Sequence, residues 1–338
     1  MRLASSLGAA AQRWRAAAAA PLPQRPLLTA ADAAALIALA RSQRLPQPAQ
    51  ALAQRVAGDS PARWLGRGLD YAESRAYQPG DDLRDLHWRL FARTGRPYVQ
   101  LHQQHSAPTL HLLLDLRPGM AFGTRVRTKA EQAARVTLLG AAVHLLAAEG
   151  AACALQLSLW RDAVQSVDLG RGLPAVRGLA QRLERERLTA PTAEAEADAA
   201  ASAMAHFAAW AQRLGRTLPD GARVLLASDA AGWDDPAADA ALWALRRRAS
   251  LVLLHVTDGV EAALPEAPQL QAAPFVDLAQ HRAGVLPDAA ARAAFATLAA
   301  RADAARQARW RARGLGRIAA DAQQDDVVLL RALGGVAA

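Results

Sequence analysis

The chain has almost no lysine. Lys129 is the only one among 338 residues, so arginine carries the basic charge. There is a single cysteine, Cys153, which excludes an intramolecular disulfide framework. It sits in the apolar run ACALQLSLW with no evident neighbouring base, and so reads as a buried structural thiol rather than a nucleophile. No uninterrupted apolar run reaches the ~18 residues a membrane-spanning helix requires. The best candidate, residues 136–148, is too short and contains His144. The N-terminus has positive charge and alanines but no leucine-rich core, which argues against a secretory signal and for a cytoplasmic protein. Two catalytic signatures are also missing. There is no G-x-S-x-G elbow for a serine hydrolase and no G-x-x-x-x-G-K-[ST] loop for ATP.

What is present is apolar and basic. Hydrophobic residues make up 52% of the chain, much of it alanine, which forms helix well but fills little volume. The net charge of +9 is concentrated early: residues 1–109 hold 14 arginines against 7 acids, and the remainder is nearly balanced. A basic arm suits nucleic acid, an anionic membrane surface or an acidic partner protein. Here the arginines are scattered rather than clustered, so general arginine richness is the simpler reading and nucleic acid is disfavoured.

Three segments follow from the punctuation. Residues 1–60 read as a tail, one short helix opened by a Thr29–Asp32 capping pair, and a proline-bearing linker. Residues 61–109 are polar and turn-rich, with Gly66, Gly68, Pro79, Gly80 and Gly95 breaking any long helix. Within them, 83–92 reads as a short helix and 97–102 as a strand. Residues 110–335 alternate strands and helices. LHLLLDL, RVLLASD and 251–256 are continuous apolar runs, the mark of parallel strands covered on both faces. The alternation predicts an α/β fold with a doubly wound, mainly parallel sheet. Ligands in such sheets bind beyond the carboxyl ends of the strands, where Asp115, Asp229 and Asp258 fall.

The segment GLDYAESRAYQPGDDLRDLHWRLFARTGRPYVQ resembles the signature of domain-of-unknown-function family 58, an R-x-Y-x-x-G-D-x-x-R-x-x-W core followed by A-R. It is met by Arg75, Tyr77, Gly80, Asp81, Arg84, Trp88, Ala92 and Arg93, and the resemblance extends from about residue 60 to 335. It implies a Rossmann-type domain of the von Willebrand factor A-like kind after a small irregular and β signature region. It also implies a partnership with a MoxR-type AAA+ ATPase, and the chain resembles the family's short form without membrane helices. Two departures stand out. His87 replaces the usual aspartate before the signature tryptophan. In a working von Willebrand A-type site, D-x-S-x-S, a threonine and a later aspartate hold one Mg²⁺ through oxygen. Here Asp115 is kept, Arg117 and Gly119 replace both serines, Asp229 matches the later aspartate, and Thr189 or Thr192 matches the threonine.

Arg117 brings a guanidinium to where the cation would sit and is placed to pair with Asp115, so the expectation is a degenerate site with no metal and no cofactor. His102 and His105 have the H-x-x-H spacing, but an odd separation on a strand sends them to opposite faces. Asp81, Asp82 and Asp85 with Arg75, Arg84 and Arg89 read as a turn locked by ion pairs, since no nucleophile accompanies them. The leading expectation is a non-enzymatic adaptor that binds an AAA+ ATPase and a client protein. The alternatives are a metal-dependent binding domain using Asp115, Asp229 and a threonine, and a nucleic-acid-binding protein.

Overall fold

The computed structural model describes residues 26–42, 71–77, 86–102, 109–124, 126–147, 153–188, 196–219, 222–264, 274–277, 282–285 and 289–334. In chain order the elements are α1 (Ala30–Ser42), β1 (Tyr71–Ala76), α2 (Trp88–Thr94), β2 (Tyr98–His102), β3 (Thr109–Asp115), α3 (Lys129–Ala147), β4 (Ala154–Trp160), β5 (Val164–Arg171), α4 (Gly172–Arg185), α5 (Glu196–Thr217), β6 (Arg223–Ser228), α6 (Pro236–Arg246), β7 (Ser250–Thr257), α7 (Gly259–Ala262), β8 (Pro274–Asp277), β9 (Arg282–Val285), α8 (Ala289–Ala312), β10 (Gly316–Asp321) and α9 (Asp326–Gly334). Residues 59–107 form one compact unit, and the rest of the chain forms another.

In the larger unit six strands run in the order β10-β7-β6-β3-β4-β5. All pairings are parallel except β4 with β5. This is the doubly wound α/β fold that the alternation predicts. The chain winds outward from β3 in one direction, then returns to the other side of β3 with β6. The order therefore reverses between β3 and β6, the place where such sheets open a crevice.

Alternation along the strands feeds two cores. Leu110, Leu112 and Leu114 of β3 pack with α1, α3, α4 and α9, whereas Leu113 packs with α5, α6 and Trp310. The first core is aliphatic and the second aromatic. In the second, Phe207 stacks on Trp160, Trp210 and Trp233 at centroid distances of 4.6, 5.8 and 5.7 Å. The indole N–H groups of Trp160 and Trp210 donate to Ala203 O and Ser158 Oγ, so both rings are buried without loss of a hydrogen bond.

α3 lies close against the sheet. A Cβ on Gly140 would stand 3.1 Å from Leu225 Cδ1, so this position favours glycine by proximity. Helix α1 packs on α3. Its capping box forms as the sequence predicts, with Thr29 N donating to Asp32 Oδ2 and Asp32 N donating to Thr29 Oγ1. Arg135 of α3 ties it down, bonding Asp32 at 2.8 Å and Asp326 of α9 at 2.6 Å.

In the smaller unit β1 and β2 form an antiparallel pair, with Ala76 opposite Tyr98 and Arg75 opposite Val99. The sequence reading of this stretch as turns missed β1, because YAESRA has no apolar run and its partner lies more than twenty residues onward. Helix α2 is capped by His87, whose Nδ1 accepts from Leu90 N at 3.2 Å. That explains how a histidine can stand where the resemblance expects aspartate: the ring nitrogen keeps the acceptor the helix needs. Trp88 and Phe91 pack edge to face on α2 with 63% and 38% of their surface exposed.

Candidate functional site

The crevice at the strand reversal is filled by charge. β3 delivers Asp115, which is fully buried. The chain turns off β3 so that Arg117 folds back onto it. Arg117 Nε and Nη2 donate to Asp115 Oδ1 and Oδ2 at 3.0 and 2.6 Å, a bidentate pair, and Arg117 N adds a bond to Oδ1 at 3.0 Å. Ser228, at the end of β6, donates its hydroxyl to Asp115 Oδ2 at 2.6 Å. The other face of the guanidinium lies over Trp160, with Cζ 3.8 Å from the ring centroid. Arg117 Nη1 donates to Ala231 O at 3.1 Å.

Asp229, one residue past β6, is held by the second cation. Lys129 Nζ donates to Asp229 Oδ2 at 2.7 Å and to Glu261 Oε1 at 2.8 Å, while Ala231 N donates to Asp229 Oδ1. Arg117 Nη2 stands 3.8 Å from Asp229 Oδ1 and so links the two pairs. Burial pulls the pKa of Lys129 down, but Asp229 and Glu261 outweigh it and the net shift is upward. The same holds for Arg117, where Asp115 and then Asp229 overcome burial. Burial alone would raise the Asp229 pKa, yet Lys129 drives it below the ordinary carboxylate value. Two cations are thus shared among three carboxylates, Asp115, Asp229 and Glu261.

The donor set does not fit a divalent cation. Both oxygens of Asp115 and both oxygens of Asp229 already accept from N–H or O–H donors. A guanidinium and an ammonium stand where oxygen ligands would be needed, and Gly119, beside Asp229 Oδ2, has no side chain to offer. Mg²⁺ requires an oxygen cage, and these two fixed positive charges oppose its entry.

The structure brings Asp115 and Asp229 into one network and gives Asp258 a separate task. Asp258 caps the short helix α7 and receives Thr124 Oγ1 at 2.6 Å and Thr124 N at 3.0 Å. Thr189 and Thr192 lie outside the described residues, as do Gly80, Asp81, Asp82, Arg84, Asp85 and His105. Arg75 lies on β1 and His102 on β2; Tyr77 follows β1, its N–H donating to Pro97 O. Trp88, Arg89, Ala92 and Arg93 share α2. Lys129 and Ser228 were not singled out for this site by sequence. Lys129 carried one signal: a cation in the first turn of a helix opposes the helix dipole unless acids are near.

The loop after β6 is strained. Ala230 has φ 57° and Gly232 φ 78°. An L-residue in the left-handed region costs ~1–2 kcal/mol. Ala230→Gly is therefore expected to raise the unfolding free energy by about 0.5–1 kcal/mol despite glycine's greater chain entropy, measured by urea denaturation.

Among the described residues no helix is long and apolar enough to cross a membrane. Over 95 residues the chain is 36% identical to an uncharacterized protein of Mycobacterium tuberculosis and to one of Mycobacterium bovis. Each alignment covers 26% of this chain and 30% of the relative, so the chain matches under a third of those proteins' length. The family model described as "Protein of unknown function DUF58" matches residues 73–305, more than half of the chain. The chain belongs to that family.

Proposed function

We propose that this protein is a non-enzymatic adaptor, built on a von Willebrand factor A-like domain, that joins a MoxR-type AAA+ ATPase to a client protein. The observation that carries this reading is the closed ionic network at the strand reversal. In a doubly wound fold that crevice is where a ligand or metal would be worked on. Here its carboxylates are spent on Arg117, Lys129 and Ser228, and the Ser228 hydroxyl is itself buried, donating to Asp115 and accepting from Ala230 N. A domain that keeps its architecture while filling its crevice with its own side chains is suited to presenting surface. The solvent-facing Trp88 and Phe91 on the signature helix supply apolar surface of the kind partners cover.

Two measurements test this. The purified chain mixed with a MoxR-type ATPase from the same genome is expected to co-elute with it on size exclusion. Separate elution under apo, ADP and ATP conditions would overturn the ATPase partnership. Millimolar Mg²⁺ or Mn²⁺ is expected to leave the melting temperature of the isolated chain unchanged. A metal-dependent rise abolished by Asp115→Ala would replace the adaptor with a metal-dependent binding domain.

A further inference from the structure

Away from the ionic network, α6 and the end of α8 flank an open recess. The indoles of Trp233, Trp243 and Trp310 line it, together with Leu242. Trp233 and Trp310 are buried, whereas Trp243 keeps 48% of its surface exposed. The Nε1 of Trp233 is buried and has no hydrogen-bond partner among the described residues. An indole donor removed from water and left unpaired costs ~1–3 kcal/mol.

The rim is arginine. Arg246, Arg309 and Arg313 border the recess. Arg246 Nε donates to Gly314 O at 2.8 Å, which fixes that guanidinium against the wall. Arg309 and Arg313 hold the carboxylates of Asp234 and Asp239. The lining itself holds three arginines against one aspartate, Asp239. The surface is therefore basic, and two of its cations are already engaged with the chemistry they would offer a ligand.

We propose that this recess binds an acidic peptide segment of a partner protein. The segment seats one apolar side chain against Trp243 and places carboxylates on Arg309 and Arg313. Charge complementarity carries the choice of partner. The existing pairs are half-exposed at the arginines, and Asp234 is 70% exposed. Exposed pairs of this kind are worth only ~0–1 kcal/mol, so an incoming carboxylate can share or replace them at small cost. Tryptophan and arginine are also the side chains that dominate binding energy at protein interfaces. Nucleic acid fits less well. Stacking needs several open aromatic faces, and of the three indoles only Trp243 is open.

The inference deepens the adaptor reading by naming a contact chemistry, and it rests on that reading only in requiring a protein partner. Its test uses the isolated full chain and no ATPase, so the two fail separately. A fluorescein-labelled peptide with one central leucine flanked by glutamates is titrated and followed by fluorescence polarisation and by acrylamide quenching of tryptophan. Saturable binding that weakens with salt is expected, with protection of tryptophan from quencher. Trp243→Ala, at an exposed position, should weaken it by about tenfold or more. The double variant Arg309→Glu, Arg313→Glu should abolish it. Equal binding of a glutamine-flanked peptide, unchanged binding by Trp243→Ala with a native melting temperature, or tighter binding of a single-stranded DNA oligonucleotide would each overturn the proposal. So would a lack of saturation at millimolar peptide.

Discussion

Arg117→Met is expected to lower the unfolding free energy by about 3–5 kcal/mol, the usual cost of removing one partner of a buried ion pair. Asp115 has no exposed surface, and the Arg117 side chain is only 13% exposed, so water cannot take the guanidinium's place without opening the crevice. The substitution leaves Asp115 with Ser228 as its side-chain donor and strips the cation from the face of Trp160. It also frees the carbonyl of Ala231. Urea denaturation at neutral pH measures the loss. The double variant Asp115→Leu, Arg117→Met separates burial from charge: it should recover most of the stability, because the desolvated carboxylate goes with its partner. A loss below about 1 kcal/mol in the single variant would mean that Asp115 reaches water or another cation, and the picture of a sealed network would be wrong.

Acid should be more damaging still, and its effect should begin above the range of carboxylates. His111, His144 and His255 are buried, and burial is the main cause that holds them to about 4, about 3 and about 4, against an ordinary 6.5. Arginine reinforces it for two of them. Arg223 donates to His144 Nδ1 at 3.1 Å, and Arg317 donates to His255 Nδ1 at 2.8 and 3.0 Å, so those nitrogens are acceptors in the fold. Protonating them breaks the bond and brings two cations together. Each histidine is depressed when folded, so the unfolded chain binds its proton more readily. The stability it contributes is complete above pH 6.5 and is lost as pH falls toward 4 and 3. At 1.36 kcal/mol for each pH unit, each histidine amounts to roughly 3 kcal/mol by pH 4 and the three together to roughly 9 kcal/mol. Asp229, depressed below 3.8, adds its loss only under that value. Urea titrations at pH 7.5 and 4.5 should show this fall, and His144→Met should reduce it. A flat profile between those values would mean that the imidazoles charge without cost.

The fold was the more legible part. The apolar runs of β3, β6 and β7 could be read because strands covered on both faces have no polar side to hide them. Their order in the sheet could not, since pairing is a non-local choice among strands of one pattern. Strand β1 escaped notice for a related reason: YAESRA owes its extended form to β2, and nothing within the segment announces it. The site was half legible. Asp115 and Arg117 are two residues apart, and their pairing follows from spacing. Lys129 lies one hundred residues from Asp229 in the chain, and only the doubly wound topology brings that amine to the end of β6.

The loop after β6 has a consequence for communication. Ala231 gives its carbonyl to Arg117, and Trp233, two residues on, lines the recess. One short stretch of backbone, with left-handed torsions at 230 and 232, thus belongs to both places. An occupant that displaced Trp233 would do so two residues from the carbonyl that Arg117 holds. Where such coupling exists it is reciprocal: whatever the network gains or loses when the recess fills, the recess gains or loses when the network opens. The network would then act as a latch that sets affinity at a distance, and Arg117→Met would report on it through peptide binding as well as through unfolding.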